Sequence, residues 1–151
     1  MDMDGKQLEI VNQLGPAIQR SLEELAFIEV RNLKTMVRQD DNDAHVCMSL
    51  DMKTPFAGRL FTWLPVALID RIAQLIYEDD APLAEGALRD MAGEILNTFS
   101  GNLLARALDD NQSFAIGFPA EAEPEQFWRA ESKLFFSVDD LNGGVAVAFT
   151  E

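Results

Sequence analysis

The sequence predicts an α+β layered fold, and three observations point there. Segments of helical and of strand periodicity come in blocks (helix, strands, two helices, strands) without the βαβ alternation that builds a parallel sheet. An Asn142-Gly143-Gly144 triplet between alternating apolar runs is a strong hairpin signal. Hydrophobic residues make up 48% of 151, enough for a full core in one domain over 1–151, with a single cysteine and hence no internal disulfide.

Taken in order, Met1 to Gly5 reads as a short flexible leader. From Lys6 to about Phe27 apolar residues recur at helical spacing (Leu8, Val11, Leu14, Ile18, Leu22, Leu25), with Gly15-Pro16 as the expected kink or break. Ile28 to Val37 and His45 to Met52 read as strands about the polar turn QDDND. MKTP suits a hairpin loop, and Phe56 to Trp63 alternates into a third strand with Gly58 as an expected bulge. Pro65 stands where a helix would begin, with Leu68, Ile69, Ile72, Ala73, Leu75 and Ile76 as its apolar face, and EDDAP ends it.

The stretch Ala87 to Leu108 organises the rest. At about 100° per residue, Leu88, Ala92, Ile95, Leu96, Phe99 and Leu103 share one broad face. Opposite them Asp90, Glu94, Asn97 and Gly101 fall within about 60° of arc. No Lys or Arg lies between Asp90 and Leu104, so the Asp90–Glu94 pair at i, i+4 is uncompensated and costs a few tenths of a kcal/mol. Gly93 and Gly101 add about 0.5–1 kcal/mol each against the helix; close approach of a partner backbone or packing against a neighbouring element would each explain them. After the helix, DDNQS turns into a short strand Phe114–Phe118 that ends at Pro119. AEAEPEQF reads as an exposed loop, and Leu134–Asp139 and Val145–Thr150 as the last two strands, around the Asn-Gly-Gly turn.

Much chemistry is excluded. A net charge of −14 disfavours nucleic acid and anionic membrane surfaces. No apolar run approaches the ~20 residues of a membrane span, no signal-peptide pattern leads the chain, and a lone cysteine agrees with a reducing cytoplasm. His45, the only histidine, at a strand start reads as a surface or capping residue and leaves a serine hydrolase without its base. Cys47 lies in an alternating apolar run as a buried structural thiol, and no second Cys or His completes a zinc site. Glu94-x-x-Asn97 lacks the paired Glu-x-x-His of a di-iron bundle, and Gly143-Gly144 lacks a phosphate-loop Lys. Trp63 suits the core, whereas Trp128, beside the acidic loop, suits a contact surface.

The pattern Asp90-x-x-x-Glu94-x-x-Asn97, followed by Ser100 and Gly101, resembles the signature of the CheC/CheX/FliY phosphatases, which remove the phosphoryl group from the aspartate of CheY-type response regulators. That signature also expects a proline somewhat over twenty residues beyond the Asn, and Pro119 stands there. The short chain and single intact helix motif are most similar to the CheX members. In SLEELAF, where longer relatives carry a second motif copy, Glu24 is followed three residues on by Phe27, so the carboxamide is missing and the half-site reads as packing.

The resemblance implies a CheC-like fold, one mostly antiparallel sheet with long helices packed on it. It implies that Asn97 orients the attacking water and Glu94 pairs with the receiver's Lys, while Gly101 and Pro119 contact the partner and Asp90 either contacts its rim or orients the helix. The phosphorylated CheY-like receiver would supply the Mg²⁺, and the chain would need no cofactor of its own. The resemblance also implies a homodimer paired at a sheet edge, for which the unprotected tail VAVAFTE is the expected strand. The alternative is a non-catalytic receiver-binding module, or a flagellar-switch scaffold like the related middle domain of FliM. A scaffold has no chemical need to keep Glu94 and Asn97 together.

Overall fold

The computed structural model describes residues 4–33, 45–78 and 81–150. Elements run α1 Gly5–Asn12, α2 Leu14–Ala26, β1 Arg31–Leu33, β2 His45–Thr54, β3 Gly58–Pro65, α3 Val66–Tyr77 and α4 Glu85–Ala107. There follow β4 Ala115–Ile116, β5 Ala120–Glu121, α5 Pro124–Arg129, β6 Ser132–Val138 and β7 Leu141–Phe149. The strands form one sheet in the order β1-β6-β7-β3-β2-β4, with β5 also on β2, and every pairing is antiparallel. The QDDND turn, most of the second half of the Ile28–Val37 strand, residues 1–3 of the leader and two residues of EDDAP lie outside the described residues.

Strand alternation sorts side chains between two cores. Leu50, Leu60, Leu64, Phe136, Val145 and Val147 face the larger one, roofed by α1 to α4. Cys47, Phe61, Trp63, Phe135 and Ala146 face a smaller aromatic core on the other side, closed by Phe127 of α5. Among the described residues α4 is the longest element, 23 residues, and buries Ala92, Ile95, Leu96, Phe99 and Leu103 completely, so its predicted face holds except at Leu88, which is only half-buried.

Several expectations are corrected. The first helix is two, broken at Gln13 rather than at Gly15-Pro16. Pro16 is the third residue of α2, where its missing N–H is harmless but its ring disfavours a helical carbonyl four residues back, at Asn12. Asp4 caps α1 through its side chain and Gly5 begins the helix, so neither belongs to a leader. MKT lies inside β2, and Gly58 pairs regularly with Met52 instead of bulging. Its glycine is needed because a Cβ would meet the Ala148 carbonyl oxygen at 2.6 Å. Leu75 and Ile76 are exposed, not part of the buried face of α3.

The hairpin turn is Asp139-Asp140, not Asn142-Gly143-Gly144. Both aspartates have positive φ, 46° and 68°, as a two-residue hairpin turn requires, and Arg71 of α3 ion-pairs with Asp139. Gly143 and Gly144 sit within β7 because a Cβ at either would meet the Phe136 or Phe127 ring at 2.8 or 2.6 Å. AEAEPEQF is not a loop: it contains β5 and the start of α5, which opens with Pro124 and is anchored by fully buried Phe127. Finally, β7 is paired on both sides, so the tail is no edge and the expected dimer contact through it loses its basis.

Candidate functional site

Asp90, Glu94 and Asn97 are all exposed on the outer side of α4. None of the three side chains has a hydrogen bond or ion pair within the described residues. Together with Pro119 they line one open groove of about 500 Å³. The groove exists because α4 and the β4–β5 connection meet at a glycine. Gly93 is buried, and a Cβ there would stand 3.3 Å from Pro119 Cβ and 3.6 Å from the Met48 side chain. Close internal packing therefore accounts for Gly93. Gly101 is different. It lies half-exposed beyond the groove lining, and a Cβ there would meet nothing within 4 Å.

A salt link reinforces the same wall. Arg89 donates from Nη2 to Glu85 Oε1 at 2.7 Å and from Nε to Glu121 Oε2 at 2.9 Å, tying α4 to β5. The Glu85 hydrogen bond, then the Glu121 charge, raise the guanidinium pKa above its ordinary value. Sequence reasoning missed Arg89, Glu121 and Phe118 as groove residues. The Glu85–Arg89 spacing was a readable helix pair, whereas Glu121 and Phe118 reach the groove only through tertiary packing.

On its other flank the Asp90–Glu94 ridge borders a second groove of about 390 Å³, walled by Leu25, Ile76, Tyr77 and Leu83. Leu83 is held there by its backbone N–H donating to Asp70 Oδ1 at 3.0 Å. The incomplete motif on α2 is engaged otherwise. Glu24 accepts from Arg20 Nε at 2.6 Å, which is the main cause of its lowered pKa, and Phe27 ends the helix in the left-handed region.

The remaining candidates fall away from the grooves. His45 stacks on Trp63 with centroids 3.5 Å apart, and its Nε2 bonds the Asn142 carbonyl at 2.8 Å. Cys47 is buried, and desolvation, with Glu123 as a lesser cause, pushes its thiol up to about 12. Trp63 is fully buried, and Trp128 is half-buried in the same aromatic cluster. Among the described residues no group of three or more His, Cys, Asp or Glu is placed to hold a metal ion, and no helix is long and apolar enough to cross a membrane.

No family model matches the chain, and no curated protein matches it by sequence. Solved structures do. The chemotaxis protein CheX from Vibrio vulnificus matches with TM-score 0.71 at 17% identity, over 94% of this chain and 99% of that one. The fold is the CheC/CheX fold. A CheC-like superfamily protein from Shewanella sp. PV-4 matches with TM-score 0.70 at 17% identity, over 99% and 100% of the two chains. CheX in the CheX-CheY-BeF3-Mg complex from Borrelia burgdorferi matches with TM-score 0.67 at 15% identity, over 93% and 97%. FliY from Thermotoga maritima and a FliM middle domain share the fold more distantly, with TM-scores 0.58 and 0.53.

Proposed function

We propose that this chain is a phosphatase acting on the aspartyl-phosphate of a CheY-like receiver. The observation that carries the reading is the exposed Glu94 and Asn97, whose side chains no described residue engages, beside Pro119 in an open groove, on a fold shared with CheX proteins. A CheX solved together with CheY, BeF3 and magnesium supports a receiver as the partner.

The receiver would bring the phosphoryl group, its Mg²⁺ and a lysine. What this chain adds is position. Asn97 offers both a donor and an acceptor, so it can hold a water in line with the phosphorus without bringing charge to an anionic group. The water adds to phosphorus, the receiver's aspartyl carboxylate leaves, and inorganic phosphate is released. Glu94, nearly one turn earlier, would pair with the receiver's lysine and set the register of docking. Asp90 would contact the rim one turn further back.

The rival reading, a non-catalytic scaffold, rests on the likeness to a FliM middle domain. Mixing the protein with phosphorylated CheY-type receivers from the same genome and Mg²⁺ separates the two. Faster loss of the acyl phosphate is expected; receivers that all decay at their own rate would refute the phosphatase.

A further inference from the structure

Among the described residues seven large apolar side chains are exposed; Leu8, Phe27, Leu75 and Phe114 line neither groove, whereas the other three flank the Asp90–Glu94 ridge. Phe118 is 94% exposed and walls the groove that holds Asn97. Tyr77 at 63% and Ile76 at 36% wall the groove on the other side of the ridge. Asp90 and Glu94 line both grooves, so the carboxylates form a crest between two apolar shoulders. An aromatic ring left almost wholly in water is unfavourable unless something covers it.

We propose that these shoulders are the docking collar of the site, and that Phe118 and Tyr77 anchor a receiver face presenting a lysine among apolar side chains. This rests on the phosphatase reading and adds what holds the partner. The charge of the ridge selects the occupant. Among the described residues lining the two grooves one guanidinium stands against three carboxylates, and that guanidinium, Arg89, is already engaged by Glu85 and Glu121. No described residue pairs with the Asp90 or Glu94 side chain, so both can face a partner cation. A second copy of this chain, at net charge −14, is a poor occupant for such a crest. The collar also divides the labour: apolar shoulders supply affinity, while Glu94 and Asn97 supply register and chemistry.

The test uses Phe118→Ala, Tyr77→Ala and, as a control, Leu8→Ala, a half-exposed residue on α1 that lines neither groove. Each is titrated against a phosphorylated CheY-type receiver and against the same receiver loaded with beryllofluoride and Mg²⁺. The two collar variants should raise the half-saturating concentration roughly tenfold, with the maximal rate of phosphate loss within about twofold of wild type. Their thermal midpoints, and every property of Leu8→Ala, should stay close to wild type. Unchanged half-saturation in both collar variants overturns the inference, as does a lost maximal rate at unchanged half-saturation. A wild-type protein that binds the loaded receiver without hastening phosphate loss refutes the phosphatase reading alone, and the variants' Kd then decides the collar. A wild type that binds no receiver refutes both.

Discussion

Asn97→Asp separates chemistry from fold at one side chain. The change is nearly isosteric and falls on an exposed, unpartnered position of α4, so no buried contact is lost. Asn and Asp have similar helix propensities, and the new carboxylate adds a like-charge i, i+3 pair with Glu94 worth about 0.2–0.5 kcal/mol. For a chain of this size that is a fall of about 0.4–2 °C in thermal midpoint. The catalytic cost is far larger. The substitution removes the NH₂ donor and brings a negative charge to an anionic phosphoryl group. Two like charges ~4 Å apart at an effective dielectric of about 20 repel by about 4 kcal/mol, roughly three decades in rate. Thermal unfolding and receiver dephosphorylation are measured on one preparation. An early-melting variant that still hydrolyses normally would make Asn97 a packing residue and refute the mechanism.

Two further outcomes test the fold. Gly144→Ala places a Cβ 2.6 Å from Phe127 Cζ in the packed aromatic core, so the clash, about 1–3 kcal/mol, outweighs the ~0.4–1 kcal/mol gained by stiffening the unfolded chain. Its melting temperature should fall, and a variant as stable as wild type would show the ring free to move. The Cys47 thiol, pushed up to about 12 from an ordinary 9.0, should resist alkylation at pH 8 in the native protein and react once urea unfolds it. Because its folded-state pKa is raised, the unfolded chain loses this proton first, and its contribution to stability is present below pH 9 and lost as pH rises from there towards 12. Rapid native labelling would contradict the burial.

What the sequence determined by itself was whatever depends on neighbours along the chain. The buried face of α4, its polar stripe and its length follow from a period of 3.6, and the Asp90, Glu94, Asn97 alignment is a property of one helix. Alternation likewise foretold most of β2 and β3, the second half of β7, and the packed environments of Cys47 and Trp63. Tertiary structure alone decided matters that join distant segments. Gly143 and Gly144 read as a turn because glycine there has two uses, and only the facing Phe136 and Phe127 rings show that space, not positive φ, is what required it. The tail's place in the middle of the sheet depends on β3 and β6, which lie elsewhere in the sequence. The groove itself was hidden for the same reason. Its far wall, Phe118 to Glu121, reaches α4 through Gly93 and Arg89, and contacts made across about 26 to 32 residues leave no local periodicity to read.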